Sequence, residues 1–412
     1  MRNKILPAIG CALAWAACAS GQIQATPVAF RGDAAPGMPA GTTFHGFALR
    51  PGIDSAGQVT LSATVAGGGV SSSNNSGLWI GSNSLTMVVR EGDAASGLPG
   101  GLAFSGFADA IGNGSGQVLF VGFLRGDVDS RNDSGLWIGG SGGLRLIARE
   151  GGAAPGGGEF NGISGLVFNS AGRFAFFGVL RGGGVKADND TGIWTGTTSG
   201  LSLVVREGDT APGAGGARFA SLFGPVLDSD GRLAFRGTLT GGGLGSVGIW
   251  YGQPGSLTLA ARGGQSAPGG GTFSVPGDPA INNRGEIAFA STYAEGGKGL
   301  WAGPRTNLRL VTRTGNAAPG GGTFTALNDP VINGAGRVAF TGVAGNQTGL
   351  WSDASGELRL VARQNDTAPG TSAKFEAFTS LPVLNAAGQC VFSATLTNGQ
   401  TGIWGSRGTA GG

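Results

Sequence analysis

The sequence predicts an all-β protein, a seven-bladed β-propeller built of four-stranded blades. Three observations lead there. Glycine supplies 86 of the 412 residues, while charged residues make up only 12% and apolar ones 40%. That is too apolar for disorder and too rich in turn formers for helices. Three short signatures each occur seven times at spacings of 50 to 60 residues, a period that marks blades or solenoid coils. The chain opens on one kind of strand and ends on another, the split expected when one blade is completed by both termini.

The first signature is GLWIG at Gly77. It returns around Trp137, Trp194, Trp250, Trp301, Trp351 and Trp404, so every tryptophan except Trp15 belongs to it. The second is GDAAPG at Gly32, with copies at Gly92, Gly151, Gly208, Gly264, Gly315 and Asn365. The third is Asn/Asp-x-x-Gly before an apolar run, with its glycines at 57, 116, 172, 231, 285, 336 and 388.

Each repeat then divides into four strands. Strand a is the FSGFADAI type from Phe104. The Asn-x-x-Gly tetrad is a tight hairpin whose glycine takes positive φ. Strand b follows, apolar at nearly every position as in VLFVGFL, and is expected to be buried on both faces. Strand c carries the tryptophan. Strand d alternates, as in Leu144-Arg145-Leu146, so one of its faces is wet. Pro51, Pro225, Pro279, Pro330 and Pro382 fall in strand a, and proline cannot donate to a ladder, so a is an edge strand. The order a-b-c-d with a innermost satisfies these facts. The N-terminal TPVAFRGD from Thr26 reads as a d strand and Gly402–Gly405 as a c strand. The N-terminal strand is thus expected to complete blade seven and close the ring, with an open β-solenoid as the alternative.

The repeats resemble exported bacterial tandem-repeat proteins defined by an N-x-x-G-x-x-x-x-A-F motif. NSAGRFAF at Asn169, DSDGRLAF at Asp228, NNRGEIAF at Asn282 and NGAGRVAF at Asn333 carry the likeness, and Asp54, Asn113 and Asn385 begin weaker copies. The spacing from glycine to Ala-Phe is shorter here than in the written motif. The resemblance spans essentially the whole mature chain. It implies export and a C-terminal surface anchor of variable type, and it brings no established activity or catalytic residue. The GSRGTAGG ending has no apolar tail for such an anchor.

The N-terminus reads as a secretory signal. Arg2 and Lys4 precede an apolar run from Ile5 to Ala17, and Ala17-Cys18-Ala19 offers small residues for cleavage after Ala19, with Ala25 as the second choice. Cys18 also allows lipidation, although Trp15 stands where an aliphatic residue is preferred. Residues 1–19 are therefore assigned to the signal, 26–405 to the propeller and 406–412 to a disordered tail. The mature protein is expected to be exported, to the periplasm, the cell surface or the medium, and to be monomeric. It has no transmembrane segment. Cys390 is then its only cysteine, so no disulfide supports the fold and a large core must. Without Arg2 and Lys4, the 27 basic residues fall to 25 against 24 acids, which is no footprint for nucleic acid.

The inventory excludes much chemistry. His45 is the only histidine, which rules out a multi-histidine metal site. No nucleophile elbow or phosphate-binding loop is present, and no cofactor or metal is expected. Arginine closes strand d at Arg90, Arg149, Arg206, Arg262, Arg313 and Arg363, and a residue found in nearly every blade serves the blade. Specific function belongs where blades depart from consensus. Strand a faces the expected channel, and its variable positions give His45, Arg50, Asp109, Asp278, Asp329 and Glu376 as ligand candidates, with His45 and Glu376 neighbours in a closed ring. The b–c loops vary most in length, from eleven residues at Arg181–Thr191 to four at Glu295–Lys298. They carry Asp127, Asp129, Asp133, Lys186, Asp188 and Asp190, whose clustered oxygens lack a calcium-loop pattern. These loops share a face with the GDAAPG loops, and variable polar loops on a rigid scaffold are the usual seat of recognition. The reading is a non-catalytic binding or scaffold module for an extracellular macromolecule or glycan. The alternative is a carbohydrate-active enzyme, hydrolase or lyase, using channel carboxylates, one of them with a raised pKa.

Overall fold

The computed structural model describes residues 28–405 except 48–51, 54–57, 82–83, 114, 141, 242–244, 380 and 386–387. The signal and its cleavage sites, the tail, Arg50 and Asp54 lie outside the described residues. The described residues form seven antiparallel sheets and no helix. Among them no helix is long and apolar enough to cross a membrane.

Blade 2 shows the plan, with a at Ala103–Gly112, b at Val118–Arg125, c at Ser134–Gly140 and d at Gly143–Arg149, hydrogen-bonded in that order. Blade 3 repeats it with Glu159–Phe168, Phe174–Arg181, Thr191–Thr197 and Gly200–Arg206. Blade 4 does so with Phe219–Leu227, Leu233–Leu239, Val247–Gly252 and Thr258–Arg262. In blade 1 the described pieces Thr42–Phe47 and Gly52–Ile53 both pair with b; in blades 5, 6 and 7 strand a is broken in two, as at Phe273–Pro276 and Ala280–Ile281, and both pieces pair with b. The sequence reading of a as one strand is corrected there. In blades 5 and 6 the break falls at Asp278-Pro279 and Asp329-Pro330, where the imide lacks the donor that a ladder needs. Blade 4 keeps Pro225 inside strand a by shifting register between Phe223 and Val226.

The sheets stack face to face in chain order. Leu78 and Val89 of blade 1 pack with Phe104 and Trp137 of blade 2, and five further apolar clusters join each blade to the next as far as blade 7. Successive a strands lie beside one another along one edge. Four-stranded antiparallel blades with their first strands innermost are the arrangement of a β-propeller.

The three signatures prove to be three locks. Each blade tryptophan donates its indole N–H to a carbonyl in the GDAAPG-type loop that enters its own blade. The acceptors are Pro36, Ser96, Pro155, Pro212, Pro268, Pro319 and Pro369, at 2.8 to 3.2 Å. The strand-a phenylalanine meets the indole edge-on at 4.7 to 5.0 Å. In blades 2 to 7 a strand-b phenylalanine stacks on it at 6.0 to 6.2 Å. The glycine of GLW leaves room for the ring: a Cβ on Gly299 would stand 2.4 Å from the Trp301 indole.

The Asn-x-x-Gly tetrad turns the chain and also stitches blades together. Asn333 Oδ1 accepts the N–H groups of Ala335 and Arg337, while its Nδ2 donates to the Asn385 carbonyl of blade 7 at 2.8 Å. Asn169 and Asn282 reach Asp228 and Asn333 in the same way. The turn glycines take the left-handed conformation, φ +75° at Gly336.

Blade 7 differs. Its strands are Phe375–Phe378, Val383–Leu384, Cys390–Leu396 and Thr401–Gly405, so it has a split a, b and c but no d among the described residues. Val28, Ala29 and Phe30 form no strand.

Candidate functional site

The d-strand arginines serve the scaffold, as expected from their recurrence. Nε of Arg90, Arg149, Arg206 and Arg262 donates to the b–c loop carbonyls of Asn74, Asn132, Asn189 and Gly245. Arg363 holds the Gly320 carbonyl and the Asp366 carboxylate instead. Asp93 and Asp209 pair differently, accepting the main-chain N–H of Arg90 and Arg206. What remains for function are the departures.

The clearest lies on the inner edge, across blades 4 to 6. Strand b of blade 4 carries Arg236 where the other blades have Ser62, Val121, Phe177, Ala290, Thr341 and Ser393. Its guanidinium lies 4.1 Å from the centre of the Phe223 ring and bonds Asp278 Oδ1 of blade 5 at 2.6 Å. Asp329 of blade 6 presses one carboxylate oxygen, Oδ1, against the Gly277 backbone, where a Cβ would meet it at 2.4 Å. That oxygen is buried and has no hydrogen-bond partner. Burial pushes the Asp329 carboxyl above its ordinary range, Lys298 and Arg236 pull it down, and the Asp278 charge pushes it up. Two of the six inner-edge candidates are thus brought together with a cation between blades. An ion pair as open as Arg236–Asp278 adds little stability, but it fixes where the carboxylate points.

The other four candidates do not join this group. Arg50 lies outside the described residues. Asp109 is exposed, with φ +49°, at the position where blade 3 has Gly165 at +63°. It sits at the register shift of strand a between Ala108 and Ile111, which the αL-tolerant aspartate permits. His45 and Glu376 are both exposed, and no hydrogen bond or ion pair joins them among the described residues.

On the loop face the six predicted residues fall into two kinds. Asp129 folds its own loop, accepting the Arg131 N–H at 2.8 Å, and the Lys186 main chain donates to Asn189 Oδ1. Asp127 and Asp188 are exposed. Asp133 and Asp190 instead approach Glu150 and Glu207, which follow the d-strand arginines. Burial raises the pKa of both glutamates, and the neighbouring aspartates raise it further. Arg181 opposes this at Glu150, whereas Glu207 has Thr240 at the corresponding position of blade 4. Sequence reasoning passed over both glutamates, which stand between the d-strand arginine and the loop signature. Their recurrence at Glu91, Glu150 and Glu207 was the available signal. Among the described residues no group of three His, Cys, Asp or Glu is placed to hold a metal ion.

The profile of DUF7453, a family of unknown function, matches residues 13–138, 102–247 and 225–409. The chain belongs to this family. The three overlapping matches repeat along the chain as the blades do. No curated protein matches the chain. Among solved structures, the chain is similar to the β-propeller domain of the Trilobed protease from Pyrococcus furiosus, at 10% identity over 89% of this chain and 96% of that one, with a TM-score of 0.49. It is also similar to a puromycin-hydrolyzing peptidase of Mycobacterium tuberculosis, at 12% identity over 89% of this chain and 52% of the other, with a TM-score of 0.47. Acylaminoacyl peptidase of Pyrococcus horikoshii gives 11% identity, 86% and 51% coverage and a TM-score of 0.46. The chain thus spans about half the length of these last two.

Proposed function

We propose that this DUF7453 protein is an exported, closed propeller that binds an extracellular macromolecule or glycan without transforming it. The observation that carries the reading is the division of labour among its residues. The repeated tryptophans, asparagines and most d-strand arginines are committed to locks within and between blades, and the charged departures gather at the inner edge and on the b–c loops. Its repeat type is that of the exported tandem-repeat proteins it resembles.

Closure rests on three likenesses between the N-terminal segment and the true d strands. The Phe30 N–H bonds Asp33 Oδ2 as Arg90 bonds Asp93. The Gly32 N–H bonds the Phe44 carbonyl as Gly92 bonds that of Phe104. Ala29 packs on the blade 1 cluster as the d-strand Ala148 packs on the blade 3 cluster. In this proposal residues 26–30 pair with Thr401–Gly405, and the a strands surround a channel.

One observation favours the enzymatic alternative. Asp329, with its raised pKa, stands beside Asp278, and two carboxyls in unlike environments are what acid–base glycoside chemistry requires. Incubating the purified protein with a polysaccharide panel separates the two. Retention of a polysaccharide without product supports the module, and product released by the native chain but not by Asp329→Asn supports the enzyme. Neither retention nor product removes both readings.

A further inference from the structure

Blade 5 breaks the arginine rule. Its b–c hairpin, between strands Glu286–Tyr293 and Lys298–Pro304, has only four residues, Ala294 to Gly297. No loop carbonyl reaches the d-strand Arg313. Alone among the six d-strand arginines, Arg313 holds no carbonyl and no carboxylate with its side chain among the described residues; its side-chain partner is the Tyr293 hydroxyl, and it is exposed. Beside this hairpin blade 5 has a cavity of about 400 Å³, lined by Gly270, Gly271, Tyr293, Glu295, Arg313 and Asn316, among others. That volume is within the range of about 300–1,000 Å³ usual for small-ligand sites.

Tyr293, Glu295 and Arg313 meet around this cavity. Tyr293 is 8% exposed, and its buried hydroxyl has the Arg313 side chain alone beside it. Burial raises the Tyr293 pKa and the nearby Arg313 charge lowers it, so the phenol lies beside the guanidinium. Its ring packs edge-on against Trp301 at 5.2 Å, and a Cβ on Gly271 would stand 2.7 Å from it, so the ring is fixed. Glu295 Oε2 accepts the Thr272 N–H at 3.2 Å, and main-chain donors hold the carboxyl below its ordinary range. It is ionised.

We propose that this cavity binds a uronate, the carboxylated sugar unit of acidic polysaccharides. The ligand carboxylate takes the fork of Arg313, which no acid of the fold occupies and which matches a carboxylate in two-point geometry. The sugar hydroxyls donate to Glu295 and exchange hydrogen bonds with the Asn316 amide. Tyr293 positions Arg313 from the cavity wall. A neutral hexose lacks the group that Arg313 selects. An α-amino acid offers a carboxylate and an ammonium but not the ring of hydroxyls. The site is separate from the inner-edge cluster, and its fate is independent of whether that cluster binds or reacts.

The test is calorimetric titration of the full chain with glucuronate, glucose and alanine. Saturable binding of glucuronate, with neither of the others, is expected. Arg313→Gln is expected to weaken it at least tenfold, and Arg313→Lys, which keeps the charge but not the fork, to fall between. Arg262→Gln, which removes a loop-holding arginine of blade 4, is expected to leave the affinity unchanged. Tyr293→Phe is expected to weaken binding severalfold with little fall in melting temperature, because the deleted hydroxyl holds only the exposed Arg313 side chain. The proposal is overturned if glucuronate does not bind, if glucose or alanine binds as well, or if folded Arg313→Gln binds like the native chain.

Discussion

Blades 4 and 7 carry the same signatures and differ in one strand. In blade 4 the d strand lies over the c strand, Leu259 sits opposite Trp250, and the indole is fully buried. In blade 7 no described strand covers Thr401–Gly405, and Trp404 is only partly buried, although its indole N–H still reaches Pro369 and its rings still meet Phe375 and Phe392. The loop-to-tryptophan lock and the aromatic cluster therefore form from strands a, b and c. Burying the indole fully takes the fourth strand that blade 4 has.

The sharpest way to break the comparison is to remove the two indoles. Trp250→Ala is expected to cost about 3–5 kcal/mol, the range for deleting a fully buried aromatic. Trp404→Ala is expected to cost clearly less, as read by denaturant unfolding. Equal losses would mean that blade 7 is sealed as tightly as blade 4. Next in size, deleting residues 26–33 should leave Trp250 emission unchanged and shift that of Trp404 to the red, with a lower melting temperature. Asn333→Ala removes the bonds that close its own turn and tie blade 6 to blade 7. It should cost about 1–3 kcal/mol through the buried donors it strands, with no change in emission from either tryptophan.

The smaller effects depend on pH and reagents. A carboxyl with a raised pKa in the folded state binds protons more readily folded than unfolded. Its burden on stability is present at neutral pH and is relieved as pH falls through the folded value towards the unfolded one, near about 3.9. Asp329→Asn is therefore expected to melt higher than the native chain at pH 7, the gap closing by about pH 4. A constant gap would show that Asp329 ionises as if exposed. Burial pushes the Cys390 thiol up to about 11, so alkylation at pH 8 should be slow until the protein unfolds.

Much of this fold was legible because each blade announces itself locally. Tryptophan, turn glycine and proline loop recur seven times, and the alternation of strand d told which edge is wet. Their joining was not legible: Trp79 and Pro36 are 43 residues apart, and nothing in either signature names the other as its partner. The break in strand a was missed because proline was read as marking an edge, whereas at Asp278-Pro279 and Asp329-Pro330 it also stops the ladder. Of the candidate site, Asp278 and Asp329 were found as departures on strand a. Arg236 was missed because strand b reads as a buried apolar run, although a charge in mid-strand was itself the signal. Arg313 carried the opposite difficulty. It looks like its five counterparts, and the short b–c hairpin that blade 5 shares with blades 6 and 7 does not set it apart; Tyr293 beside it does.

The central claim is that the N-terminal segment is the missing strand of blade 7. In blade 6, Leu350 of strand c lies opposite Ala362 of strand d, and the same register places Ala29 opposite Ile403. The most direct measurement is oxidation of the Ala29→Cys, Ile403→Cys double variant, with Cys11, Cys18 and Cys390 replaced by alanine. The account predicts a rapid disulfide within one chain, formed in the native state and raising the melting temperature, since only strands paired in this register bring the two Cβ atoms to bonding distance. A folded protein whose two thiols remain unlinked, or link only between chains, would contradict it.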